Sequence, residues 1–250
     1  MKKEYEILKE MINDVSSIVV FTGAGISTPS GIPDFRSADG IYNQITKSEY
    51  KPEDIISHSF FYSHTKEFYD FYRSKMIYQS AKPNLAHLYF SKLENEGKNI
   101  TIVTQNIDGL HQEAGSKRVY ELHGSIQRNY CEKCSKFFDL DYIVNYKGSI
   151  PKCDKCGGII KPDVVLYDEP LNDDIVNRSI LAIMSCEMLI VIGTSLNVYP
   201  AAGFLRYFRG RYLVCINKER TPLDNNMDLV IHDDIIDVVK YLYEKDRTTK

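Results

Sequence analysis

The apolar, mostly β-branched run Ile18–Phe21 gives way within two residues to Gly23-Ala24-Gly25. A buried strand ending on glycines is how a parallel α/β sheet hands over to a phosphate-binding turn, because glycine lets the backbone approach a diphosphate and its N–H groups supply donors. A nucleotide is therefore the first ligand to expect. The stretch Gly23 to Ser37, GAGISTPSGIPDFRS, then leaves the ordinary dinucleotide fingerprint: no third glycine closes a G-x-G-x-x-G, and Ser27 to Arg36 add two prolines, an acid, an aromatic and a base. A bare Gly-x-Gly also fits a strand-to-helix turn without a ligand, so the rest of the chain has to decide.

That chain alternates strand and helix patterns. Tyr5, Leu8, Met11, Ile12 and Val15 recur at helical spacing, which predicts an amphipathic helix over 3–14 leading into the first strand. Further apolar runs, Ile100–Thr104, Met188–Gly193, Tyr212–Ile216 and Leu229–Ile231, are separated by helix-patterned segments such as Asp173–Ser185. The alternation predicts an α/β fold with a doubly wound, parallel, Rossmann-like sheet that binds ligands at the carboxyl ends of its strands. Two segments interrupt it. Residues 38–82, including FFYSHTKEFYDFYRSKM, read as a helical insertion whose aromatic stripe belongs to a core; residues 130–158 hold paired cysteines. Together they are expected to form a small domain on a nucleotide-binding domain made of 1–37, 83–129 and 159–250.

The 250 residues carry a net charge of −3, which gives no general attraction to nucleic acid or to an anionic membrane. The charged N-terminal segment lacks a signal-peptide core and no run reaches the length of a membrane span, so a cytoplasmic location is expected, with neither a membrane nor nucleic acid as partner. Six cysteines agree with a reducing compartment, since four fall in two C-x-x-C pairs and Cys186 and Cys215 lie alone in apolar segments. C-E-K-C, eighteen residues and C-D-K-C have the spacing of a zinc ribbon. Cys131, Cys134, Cys153 and Cys156 would fill the coordination sphere of Zn2+ and leave no position for water, so the metal is expected to be structural. A redox dithiol gives no reason for two pairs, and a nucleic-acid-binding ribbon would want a basic cluster.

Polar groups gather at the expected strand ends. TQNIDGLH follows Ile100–Val103, where Gln105, Asn106 and Asp108 offer amides and a carboxylate suited to ribose hydroxyls and a carboxamide, or alternatively a turn capping a helix from Gly109. ELHGS follows Val119–Leu122 and places His123, one of six histidines, at a strand end. KPDVVLYDE contains an extended segment, Val164–Leu166, that could add a peptide along a free edge. Gly193-Thr194-Ser195 and Asn217 end two later strands and suit phosphate, ribose or adenosine contact.

These motifs, taken in order from about Val15 to Val239, resemble the sirtuins, NAD-dependent protein deacylases. The resemblance implies that Gly23, Ala24, Gly25, Thr28, Asp34, Phe35 and Arg36 bind NAD, with Phe35 shielding the ribose from water. It implies that Gln105 and Asn106 contact the nicotinamide ribose, that Ile107 and Asp108 line the nicotinamide pocket, and that Gly193, Thr194, Ser195, Asn217 and Ile235 serve the remainder of NAD. It makes His123 the general base, with Asn106 beside it in the catalytic set, leaving His58, His64, His87, His111 and His232 without a role. Val164, Val165 and Tyr167 would hold an acetyl-lysine protein or peptide, with Tyr167-Asp168 standing where the family has Phe-Gly and Lys161 where it has Arg. The implied reaction passes the acyl group from lysine to ADP-ribose and releases nicotinamide; mono-ADP-ribosylation of protein is the alternative. A dehydrogenase would need an acid at a second strand end, and a zinc-ribbon binding module would leave the polar strand ends unexplained. Members that take acidic acyl chains resemble one another in a Tyr-x-x-Arg pair. Here Arg73 comes one residue late after Tyr69, so Tyr69 and Tyr72 are expected to face the acyl channel and Arg73 to point away, favouring uncharged acyl groups.

Overall fold

The computed structural model describes residues 3–35, 40–41 and 50–247. Helix α1 (Lys3–Asn13) runs into strand β1 (Ser17–Thr22), and after the glycine stretch come three short helices, α2 (Pro52–Ile55), α3 (His58–Ser63) and α4 (Thr65–Lys75). Then follow α5 (Leu85–Asn95), β2 (Asn99–Thr104), α6 (Leu110–Glu113), β3 (Val119–Glu121), β4 (Gly124–Cys131), β5 (Phe137–Asp139), α7 (Leu140–Asn145) and β6 (Ile160–Val164). The chain closes with α8 (Asp173–Ser185), β7 (Met188–Ile192), β8 (Tyr212–Ile216), β9 (Leu229–Ile231) and α9 (Ile235–Arg247).

Six of these strands form one sheet in the order β3-β2-β1-β7-β8-β9, every neighbouring pair parallel. Both faces are covered, as an all-parallel sheet requires. Ile18 and Val20 of β1 point to one side and pack with Leu8, Ala86, Phe90, Val238 and Leu242 from α1, α5 and α9. Val19 and Phe21 point to the other and pack with Ile183 and Cys186 at the end of α8 and with Phe204 and Leu205. Continuous apolar runs are thus the signature of burial on two faces at once. The strand order reverses between β1 and β7, and a crevice opens at the carboxyl ends of strands at such a reversal.

A second, antiparallel sheet has the order β5-β4-β6. Its residues Ile126, Cys131, Phe138 and Ile160 share one core with Phe61, Phe68, Tyr69 and Tyr72 of α3 and α4, and with Leu140 and Ile143 of α7. The sheet draws on β4 and β6, so it reaches beyond 130–158 on both sides. The aromatic stretch makes two helices rather than one continuous helix. Ser57 caps the first by accepting from the Phe60 N–H, and the chain breaks at His64, whose φ of −134° and ψ of 48° lie outside the helical region. The break lets Phe61 and Phe68 meet edge to face with ring centroids 4.9 Å apart.

Candidate active site and metal centre

A cleft of ≈ 810 Å³ lies over the β1/β7 reversal. Of the residues expected to bind nucleotide or substrate, it is lined by Gly23, Ala24, Gly25, Thr28, Asp34, Phe35, Gln105, Asn106, Ile107, Asp108, His123, Val164, Val165, Tyr167, Gly193, Thr194, Ser195, Asn217 and Ile235. Arg36 lies outside the described residues.

The glycine turn does more than await a ligand. Gly23 N–H donates to the Ile192 carbonyl at 3.0 Å and Gly25 N–H to the Gly193 carbonyl at 2.8 Å. A Cβ on Gly25 would stand 2.6 Å from Gly193 Cα, and one on Gly23 2.7 Å from Thr194 Cβ. These two N–H groups, expected to serve a phosphate, are spent on the last residue of β7 and the glycine after it, and the close approach that requires glycine is between two strand ends of the protein itself. The reason is topological: only pairing of β1 with β7 brings these turns together.

At the end of β2, Asn106 is held from several directions. Its side-chain amide donates to the Gly23 carbonyl at 3.2 Å and to Ser27 Oγ at 3.1 Å, while Gln105 Nε2 donates to Thr194 Oγ1 at 3.2 Å. Ser27 Oγ in turn donates to Asp108 Oδ2 at 2.7 Å, and the Leu110 N–H donates to Asp108 Oδ1 at 2.9 Å. Burial raises the Asp108 carboxyl above the usual carboxylate range in spite of these donors. The turn alternative for TQNIDGLH therefore coexists with the site: Gly109 is the N-cap of the short α6, and Asp108 just before it accepts the Leu110 N–H with one oxygen and faces Ser27 with the other.

His123 stands where β3 gives way to β4. Its Nδ1 lies 2.9 Å from the Gln105 carbonyl oxygen, which can only accept, so Nδ1 carries the proton and Nε2 keeps its lone pair. Burial holds the imidazole below its ordinary pKa, partly offset by this hydrogen bond, so the ring is neutral near pH 7. Facing it, Val165 donates its N–H to the His123 carbonyl at 3.0 Å, and Tyr167 pairs by N–H and C=O with Ile56 and His58, each at 2.9 Å. Of the extended segment expected over Val164–Leu166, only Val164 belongs to the edge strand β6, and the N–H groups of Val165, Leu166 and Tyr167 beyond it are already engaged, so the open edge is narrower than the sequence implied. Glu169 fastens this turn by accepting from Leu166 N–H, Lys161 Nζ and His58 Nδ1 at 2.9–3.1 Å. Asp168 adopts a φ of +70°, a conformation natural to glycine and uncommon for other residues.

The expectation for α4 needs correction. Tyr69 and Tyr72 are wholly buried in the small core, Tyr69 donating its hydroxyl to the Ile160 carbonyl, and neither lines the cleft. The face of α4 that carries them is its apolar face, and it is turned to the small sheet. Arg73 does point away, donating to the Gly148 carbonyl at 3.0 Å. The helix contributes Lys75 and Met76 to the cleft instead. Sequence reasoning also passed over Ser27, although it sits inside the glycine stretch, and Lys218 and Arg220, whose signal was the basic run NKER directly after β8.

The four paired cysteines converge. Their Sγ atoms all lie within 4.8 Å of one another, with Cys131–Cys156 and Cys134–Cys156 at 3.4 Å and Cys134–Cys153 at 3.7 Å. Four sulfurs about 2.3 Å from one Zn2+ would stand about 3.8 Å apart at the corners of a tetrahedron, so the set fits a zinc ion. Cys186 and Cys215 are buried free thiols elsewhere.

The Sir2 family profile matches residues 23–200. The NAD-dependent protein deacetylase of Clostridium acetobutylicum is 59% identical over 228 residues, covering 91% of this chain and 93% of that protein. The one from Clostridium tetani is 56% identical over 238 residues, covering 95% and 96%. Among solved structures, a Sir2 complex with a p53 peptide and NAD+ superposes with a TM-score of 0.86 at 38% identity, covering 99% of this chain and 100% of that one. A Sir2 variant with a deacetylated p53 peptide and 3′-O-acetyl ADP ribose gives 0.88 at 38% identity, covering 98% of each. With a profile match over most of its length, and relatives this similar from end to end, the chain belongs to the Sir2 family.

Proposed function

We propose that this protein is an NAD-dependent protein-lysine deacetylase acting on acetyl-lysine proteins or peptides, with His123 as general base and Asn106 beside it in the catalytic set. The observation that carries the reading is the pairing of a tautomer-fixed, neutral His123 with the Asn106–Ser27–Asp108 cluster across a cleft over the sheet's reversal point. NAD, when bound, would supply the ribose carbon from which nicotinamide leaves and the ribose hydroxyl to which the acyl group passes as the lysine amine is released. His123 takes a ribose hydroxyl proton at Nε2, and the Nδ1–H bond to Gln105 stabilises the charge that the ring acquires. Gln105 and Asn106 address the nicotinamide ribose, Ile107 and Asp108 the nicotinamide pocket, and Gly23, Ala24, Gly25, Thr28, Asp34 and Arg36 the remainder of the near half. Phe35 keeps water from the reacting carbon. Gly193, Thr194, Ser195, Asn217 and Ile235 take the adenosine side, while Val164, Val165 and Tyr167 hold the substrate.

In this reading the helical insertion and the ribbon act as one small lobe set by structural zinc, and the protein works in the cytoplasm, where its six cysteines, none of them in a disulfide, stay reduced. No helix among the described residues is long and apolar enough to cross a membrane. The activity named for the relatives favours deacetylation over mono-ADP-ribosylation. Mass spectrometry of the products from NAD and an acetyl-lysine peptide tests this: acetyl-ADP-ribose and free lysine are expected, whereas an ADP-ribosylated peptide or reduced NAD overturns it.

A further inference from the structure

Two histidines without a part in the cleft, His87 and His111, are 0% and 1% exposed, and their rings meet edge to face at 4.7 Å. Nearly all buried polar atoms in folded proteins find partners, so a pair of buried imidazoles asks for an account. The Asn84 N–H lies 3.3 Å from His87 Nδ1, so Nδ1 accepts and the proton is on Nε2. His111 Nε2 lies 3.2 Å from Thr22 Oγ1, and Thr22 Oγ1 donates to Thr104 Oγ1 at 2.8 Å. With its hydrogen given to Thr104, the Thr22 hydroxyl accepts from His111 Nε2–H, which leaves Nδ1 of His111 as a bare lone pair. Protonating that nitrogen would add a donor with no acceptor among the described residues, so His111 is neutral, as its burial also dictates.

The chain of bonds does not stop at Thr104. Thr104 Oγ1 also accepts the main-chain N–H of Asn106 at 3.0 Å. That N–H and the Gln105 carbonyl belong to one planar peptide unit, and the Gln105 carbonyl is the acceptor for His123 Nδ1–H. A rotation that frees one edge of the plane must carry the other edge away from its partner. We propose that His111 is a positioning residue for His123, acting through Thr22, Thr104 and the Gln105–Asn106 peptide to hold the Nδ1–H tautomer and keep the Nε2 lone pair toward the cleft. The three links before the peptide, His111, Thr22 and Thr104, are buried, so water does not compete for them. This rests on the proposed role of His123 for its effect on rate, but not for its effect on the tautomer.

The test compares Thr22→Val, which keeps the shape and removes the hydroxyl, with Thr22→Ser, which keeps the hydroxyl. With acetyl-lysine peptide and saturating NAD, Thr22→Val is expected to lower kcat about tenfold with peptide KM within about twofold, while Thr22→Ser stays within about twofold of the parent in both. Nitrogen NMR of labelled histidines, with His123 assigned by its loss in His123→Ala, should show an Nδ1–H tautomer in the parent and in Thr22→Ser and a mixture in Thr22→Val. Thr104→Val probes the same link from the other side if Thr22→Val does not fold. Equal kcat in all variants, equal losses in Val and Ser, or an unchanged His123 tautomer in both Val variants overturns the relay. The NMR result holds whether or not the protein deacetylates lysine, so failure of the activity and failure of the relay are told apart.

Discussion

Replacing Gly193 by alanine tests the claim that the cleft is built on contact between two strand ends. Gly193 has a φ of +61°, where an L side chain costs about 1–2 kcal/mol. Its added Cβ would also stand 2.4 Å from Ile26 N, 2.5 Å from Gly25 C and 2.7 Å from Gly25 Cα. These are backbone atoms on the facing turn, so no side chain can swing aside, and relieving the overlap means parting β7 from the glycine turn. Overpacking of this kind costs about 1–3 kcal/mol, so the total is about 2–5 kcal/mol, a large share of the ~5–15 kcal/mol that holds a domain together. Gly97 separates the two contributions: its φ is +102°, yet an added Cβ meets nothing within 4 Å. In urea unfolding followed by circular dichroism, Gly97→Ala should show the conformational cost alone and Gly193→Ala should exceed it by about 1–3 kcal/mol, with NAD affinity reduced as well. If Gly193→Ala is no less stable than Gly97→Ala, the strand-end contact does not carry the argument.

Other consequences are equally open to measurement. His123→Ala should lower turnover by about 10²–10⁴-fold while calorimetry finds NAD still bound, since a general base acts in the transition state; unchanged deacetylation would remove His123 from the mechanism. Metal analysis should find one zinc per chain, lost in the Cys131→Ala, Cys134→Ala double variant, and full retention there would place the metal elsewhere. Burial pushes the His87 imidazole down to about 4 from an ordinary 6.5, so its contribution of about 3 kcal/mol is present above pH 6.5 and lost as pH falls toward 4. His87→Gln should flatten that part of the acid destabilisation, and parallel stability curves for the two proteins would contradict it. Acetyl-lysine should be preferred over succinyl-lysine by at least about tenfold in kcat/KM, because Arg73 is engaged with the Gly148 carbonyl away from the cleft; comparable rates on matched peptides would refute this.

What could be read from the sequence is what is encoded by neighbours along the chain. The span of α8 follows from its helical period between the Asn172 cap, which accepts the Ile175 N–H, and the apolar strand that comes next, so Asp173–Ser185 is legible residue for residue. The same holds for the runs buried on both faces of the large sheet, and for cysteines whose two-residue spacing already places paired thiolates within reach of one metal. Which strand ends meet is another matter, because it depends on the order of strands across the sheet and is written in no local pattern. Only the tertiary structure sets Gly25 against Gly193, turns the glycine N–H groups to protein carbonyls, and spends Tyr69 and Tyr72 on the small core. It alone holds one peptide plane between Thr104 and His123. Each of these is a contact between elements far apart in the chain, fixed by packing after the local structure has formed, and the orientation of a catalytic imidazole depends on them.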